Sequence, residues 1–150
     1  MEYSLKKYKL MFGYTVFLKI GNLGATALTD LYRESYGLIG CEYGFSQGFD
    51  VKGQVQTEVK GGTFYVTYPN FPNREMIQWM LDARKYQNGA IVICDNEGVT
   101  LEKVLFENAT CVDMEIVYVR QGKDYIATKL TIQAQKLTLD SEDFENDWVI

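Results

Sequence analysis

Most of this chain alternates apolar and polar residues with a period of two. Tyr14, Val16, Leu18 and Ile20 alternate with Thr15, Phe17 and Lys19. Ile39, Cys41, Tyr43 and Phe45 face away from Gly40, Glu42, Gly44 and Ser46. Phe64, Val66 and Tyr68 alternate with Thr63, Tyr65 and Thr67, and Val112, Met114, Ile116 and Tyr118 with Asp113 and Glu115. Ile126, Thr128, Leu130, Ile132 and Ala134 oppose Lys129, Thr131, Gln133 and Gln135. Such segments are half-buried antiparallel strands with one face on a core and one toward water. Shorter strands fit Ala90 to Asp95 and Leu101 to Asn108, joined by a turn at Asn96-Glu97-Gly98. The expected fold is mainly β, a small antiparallel barrel or two-sheet sandwich of about seven strands. No repeat or linker interrupts it, so a single domain spanning 1–150 is expected.

The period changes at two places. Pro72-Asn73 is a helix start signal, Glu75 suits a first turn, Arg84 and Lys85 a last turn, and Gly89 lies past the end. A flanking helix over about 73–87 follows. Its apolar residues Met76, Ile77, Trp79, Met80, Leu81, Ala83 and Tyr86 spread over about 220° of its circumference, about twice what one supporting sheet requires. Either the helix is sunk in its own domain, or it packs on its own barrel and on another subunit. In the second case Trp79 and Tyr86 are the expected interface residues. The other break is Gln47 to Gly61, polar and marked by Gly48 and Gly53, much longer than a hairpin turn. Val51, Val55 and Val59 with Thr57 fit a β-loop projecting over about 47–61. Gly61-Gly62 fits a bulge or bend where the loop rejoins the barrel.

Composition narrows the chemistry. Histidine is absent from the 150 residues, which removes Ser-His and Cys-His nucleophile pairs and imidazole metal clusters. Cys41, Cys94 and Cys111 have no metal-ligand spacing and are expected as reduced, buried thiols. Asp113 and Glu115 share a strand face, as paired carboxylates do in glycosidases, and equally as ordinary solvent-facing charges do. No phosphate loop or cation loop occurs. The expectation is therefore a protein that is not an enzyme and holds no cofactor or metal. Net charge is −5, from 15 basic and 20 acidic residues. Asp140, Glu142, Asp143, Glu145 and Asp147 lie in the tail 140–150, so residues 1–139 balance at 15 of each sign. A balanced body gives no footprint for nucleic acid. The tail reads either as a solvated terminus or as a strip docking on a basic patch of a neighbouring subunit, with Phe144 and Trp148 favouring docking. No apolar run is long enough to span a membrane. Lys6, Lys7 and Lys9 precede an apolar run and Ala25-Thr26-Ala27 has a cleavage-site look, but Lys19 and the alternation over 14–20 favour a strand over a cleaved signal.

A family resemblance is carried by Cys41-Glu42-Tyr43-Gly44-Phe45-Ser46-Gln47, then Asp50, Gly53 and Val59-Lys60-Gly61-Gly62-Thr63. It continues through Trp79-Met80-Leu81-Asp82, Asn88-Gly89-Ala90-Ile91, Phe106 to Val112 and Leu130 to Ala134, and ends at Glu145-Asn146-Asp147-Trp148. In this order the motifs resemble the type VI secretion tube protein family Hcp (TssD), in the version typical of Bacteroidetes. The resemblance implies a barrel subunit that closes into hexameric rings, which stack into an expelled inner tube and carry effectors in the lumen. It implies partners: the chain itself, the spike, sheath and baseplate proteins, and secreted effectors or their immunity or chaperone proteins. It also implies synthesis in the bacterial cytoplasm and export through the apparatus. On this reading Asp50, Val51, Lys52 and Gln54 contact the next ring, and Lys129, Thr131, Gln133 and Gln135 suit a wet lumen wall. The stretch 21–37 is longer than the expected turn, and Ala27 to Tyr36 is compatible with an added helical turn. That departure keeps open a specialised paralogue that caps the tube or carries effectors, beside a tail-tube protein of a phage or related contractile particle.

Overall fold

A computed structural model describes residues 13–21, 33–46, 60–139 and 142–146. The elements are β1 (Thr15–Ile20), β2 (Glu34–Leu38), β3 (Gly40–Tyr43), β4 (Thr63–Tyr68), α1 (Arg74–Leu81), β5 (Gln87–Cys94), β6 (Thr100–Val119), β7 (Tyr125–Leu139) and β8 (Glu142–Glu145). The fold is mainly β, as the alternation predicts. All strands join one antiparallel sheet in the order β2-β1-β5-β6-β7-β4-β3, with β8 added on β7. The hydrogen-bonded ladder is not closed. Its end strands β2 and β3 are nevertheless consecutive, separated only by Ile39, whose amide donates to Thr67 O at 2.9 Å. One bent run thus leaves the edge beside β1 and enters the edge beside β4, wrapping both ends of the sheet around one core.

That core is built from the alternating residues. Leu18, Ile20, Phe64, Val66, Ile91, Val104, Phe106, Leu130, Ile132 and Leu137 are buried together. Phe64 packs on Phe106 with ring centroids 5.8 Å apart, and Tyr36 meets Tyr68 edge-on at 5.4 Å. Close approach of backbones is possible at Gly89, where a side chain would collide with the Lys19 carbonyl and the Phe106 ring. Central strand β5 is covered on both faces, since Ala90, Val92 and Cys94 form a second buried cluster with Phe17 and Leu105.

The segments expected as two strands, Leu101–Asn108 and Val112–Tyr118, form the single long strand β6. Two irregularities hide its continuity from a period-two reading. Asn108 adopts φ 51°, and the pairing register slips between Cys111 and Asp113. Each adds one residue, so Phe106, Ala109, Cys111 and Met114 face the core although their spacing is not even. The predicted run Ala27 to Tyr36 is corrected at its end: Glu34 to Tyr36 belong to strand β2. The rest of that run lies outside the described residues.

Candidate assembly surface

Helix α1 is shorter than predicted and ends at Leu81 rather than near residue 87. Asn73 caps it as expected, its Oδ1 accepting from Met76 N at 2.9 Å while its Nδ2 donates to the Tyr36 hydroxyl at 2.9 Å. Asp82 stops it. Its backbone is extended and its carboxylate accepts from Arg84 N at 3.0 Å, so the chain turns and Arg84 and Lys85 lie beyond the helix.

Trp79 does not lie at a surface. It is 2% exposed, it packs with Met76 in the core, and its indole N–H donates to Ala109 O at 3.1 Å. Ala109 is the last β6 residue paired with β5, so the indole satisfies a carbonyl where the ladder ends. The expectation of an interface at Trp79 is therefore corrected: apolar character marked the helix face turned inward. The outward apolar residues of this segment are Phe71, Ile77, Leu81 and Tyr86.

A second exposed apolar surface lies on the far half of β6 and β7. Beyond Ala109, β6 runs past β5, and among the described residues no strand pairs with that edge. Met114, Ile116 and Tyr118 pair with Leu130, Thr128 and Ile126 and continue the core-facing side. Met114 still packs on the core, but Ile116 is 51% and Tyr118 54% exposed. The expectation that the row from Val112 to Tyr118 faces this chain's own core fails at Val112, Ile116 and Tyr118. Val112 is displaced at the bulge, and the other two outrun the opposing layer. An apolar strand with an open edge is a template for pairing unless something covers it.

The other predicted residues are placed as follows. Lys129 and Thr131 stand on the outward face beside Glu115 and Asp113, where all four oppose across the β6–β7 ladder. Gln133 and Gln135 share that side but are tied down. The Thr63 hydroxyl donates to Gln133 Oε1, whose Nε2 donates to Gly61 O at 3.2 Å, and Asn108 Nδ2 donates to Gln135 Oε1 at 2.9 Å. Asp50, Val51, Lys52 and Gln54 lie outside the described residues, as does Trp148. The base of their loop is described: Ser46 and Lys60 exchange backbone hydrogen bonds of 2.9 and 2.7 Å. Gly62 beside it has φ 86°, and an added side chain would meet Ala134 O at 2.5 Å, so only glycine fits at this position next to the base.

Phe144 docks on its own chain. Strand β8 pairs with the end of β7, placing Phe144 against the core and edge-on to Phe45 at 5.1 Å. The Thr138 hydroxyl donates to Asp143 Oδ1 at 2.7 Å, and Lys136 Nζ lies 3.5 Å from its other oxygen. That hydrogen bond first, then the lysine charge, holds the Asp143 carboxyl below its usual pKa.

The three thiols are free. Burial pushes Cys41 and Cys111 up to about 11, so neither is an activated nucleophile near neutral pH. Among the described residues no cluster of Cys, Asp and Glu has the makings of a metal site, and no helix is long and apolar enough to cross a membrane. The prominent features are thus surfaces and edges.

The sequence profile of the hemolysin coregulated protein Hcp (TssD) family matches residues 12–149. No curated protein matches the sequence significantly. Among solved structures, the fold is similar to Hcp1 from Flavobacterium johnsoniae, with a TM-score of 0.74 and 17% identity over 88% of this chain and 99% of that one. It is similar to Hcp1 from Salmonella typhimurium, with a TM-score of 0.65 and 9% identity over 88% of this chain and 91% of that one. A further likeness is to the sheath–tube complex of the PVC extracellular contractile injection system, with a TM-score of 0.55 and 12% identity over 87% and 90% of the two chains. With its profile match spanning nearly the whole chain and its mainly β fold, this chain belongs to the Hcp (TssD) family, the structural tube subunits of type VI secretion systems.

Proposed function

We propose that copies of this chain close into six-membered rings through the open edge of β6, and that the rings stack into the inner tube. The observation that carries this is the apolar surface of Val112, Ile116 and Tyr118 beside a strand edge without a partner among the described residues. Ring closure is a head-to-tail contact, so that edge needs a different complementary surface on the next copy. The exposed apolar side chains around α1, namely Phe71, Ile77, Leu81 and Tyr86, supply one. The loop rising from the Ser46–Lys60 base, with Asp50, Val51, Lys52 and Gln54, contacts the neighbouring ring. The lumen wall is the outward face of Lys129 and Thr131, with Gln133 and Gln135 behind it. This tube assembles with sheath, spike and baseplate proteins, takes effectors into its lumen, and leaves the cell through the apparatus. The protein acts by assembly, not by turnover.

Light scattering and negative-stain electron microscopy of the purified protein test this. The expected result is six-fold rings of about six times 17.2 kDa, reduced to monomers by Ile116→Glu or Leu81→Glu. A wild-type protein that stays monomeric at high concentration overturns ring closure. Rings that persist in both variants overturn the assigned surfaces.

A further inference from the structure

A cavity of about 400 Å³ opens where β1 ends, β5 begins and β6 bulges, away from the β6 edge. Among the described residues its lining is Gly21, Arg33, Tyr86, Gln87, Asn88 and Asn108, which include one cation and no acid. Gln87 is 7% exposed, and its Oε1 accepts from Arg33 Nη2 at 2.9 Å. That bond fixes the amide so that its nitrogen is left as a donor, and this nitrogen has no partner among the described residues. A buried amide nitrogen left unpaired is costly, and in native proteins such a group usually serves a ligand or water. Asn88 is oriented in a similar way: its Oδ1 accepts from Asn108 N at 2.9 Å, leaving its nitrogen as a donor. Asn108 is the one described non-glycine residue with positive φ, and its Nδ2 is held by Gln135. The bulge is thus pinned on both sides, with its backbone in a sparsely populated conformation. Glu34, the acid next to Arg33 in sequence, is not among the described residues that line the cavity.

A guanidinium fork, two amide nitrogens and a phenol, with no anion among them, match the acceptor oxygens of a carboxylate. We propose that this cavity is a carboxylate-binding site, filled either by an acidic side chain of a second copy or by a free small acid. The first source rests on the ring reading above; the site itself does not. The chain carries many acids for such a contact, and Glu142 and Glu145 on β8 are exposed.

The test uses glutarate as probe and glutaramide as its uncharged counterpart, titrated calorimetrically into the full chain. Wild type is expected to bind glutarate saturably and glutaramide not at all. Arg33→Gln, which loses the bond to Gln87, is expected to stay folded with a cooperative but lowered thermal transition and to weaken glutarate at least about tenfold. Gln87→Leu, which removes the buried amide, is expected to weaken it as well. Absence of saturable binding in wild type, or equal binding by Arg33→Gln, overturns the site. Light scattering separates the sources. If glutarate and Arg33→Gln both raise the concentration needed for rings, the carboxylate comes from a second copy. If rings are indifferent while glutarate still binds, it is a free acid. A monomeric wild type that binds glutarate overturns the ring reading and supports the site.

Discussion

The two halves of the β6–β7 ladder have the same alternating chemistry and opposite fates. In the near half Val104, Phe106 and Ala109 face Leu139, Leu137 and Ala134, with β5 and β8 alongside and Trp79 of α1 bonded at the end of the β5 pairing. In the far half Ile116 and Tyr118 face Thr128 and Ile126, with β6's outer edge unpaired among the described residues. The near half holds the subunit together. The end of β6 beyond Met114 gives the subunit little, because side chains already half in water lose little when changed, while the opposing Thr128 and Leu130 of β7 stay buried. Apolar alternation therefore reports that a face will be covered, without reporting by which chain.

This contrast is open to direct attack, beginning where the effect is largest. Trp79→Ala removes a buried indole and strands the Ala109 carbonyl, and is expected to lower unfolding stability by about 3–5 kcal/mol in urea titration. Rings would then be lost through unfolding. A folded Trp79→Ala monomer of near wild-type stability would place Trp79 at an interface after all. Gly62→Ala forces a side chain toward Ala134 O at positive φ and is expected to destabilise by about 1–3 kcal/mol, read from the denaturant midpoint.

Alkaline pH probes burial in the subunit's own core. Burial raises the Cys41 and Cys111 thiols from 9.0 to about 11 and the Tyr36 hydroxyl from 10.0 to about 12. The folded chain favours their neutral forms, so this contribution is complete below pH 9 and is lost as pH rises through 11 to 12. The melting temperature is expected to fall over that window, and less steeply in Cys111→Ala. The smallest expected effect on the subunit is in the far half: Ile116→Ser is expected to change unfolding stability by less than about 0.5 kcal/mol in urea titration. A loss of several kcal/mol there would show that the far half belongs to the subunit's own core.

Much of the fold was legible in the sequence. The rows of β1, β4 and β7, the Asn73 cap and the need for glycine at Gly62 are local properties, and local spacing reported them. The continuity of β6 was hidden because the extra residues at Asn108 and Val112 break a parity that only the partner strand restores. The end of α1 at Asp82 was overrun because Arg84 and Lys85 are equally good in a helix and in the turn that Asp82 captures. The cavity at Arg33 and Gln87 left no sequence signal, since its lining comes from four separated segments.

The sequence by itself determined the strand periods, the family motifs and the lack of histidine chemistry, because those depend on residue type and spacing along one chain. Only the tertiary structure decided which apolar residues are core. Trp79 and Ile116 are both apolar residues in amphipathic elements, yet one is sealed beneath the end of a ladder and the other stands where β6 has run past its partner β5. Burial is set by what lies opposite a side chain in space, and alternation along the chain carries no record of where the opposing layer stops.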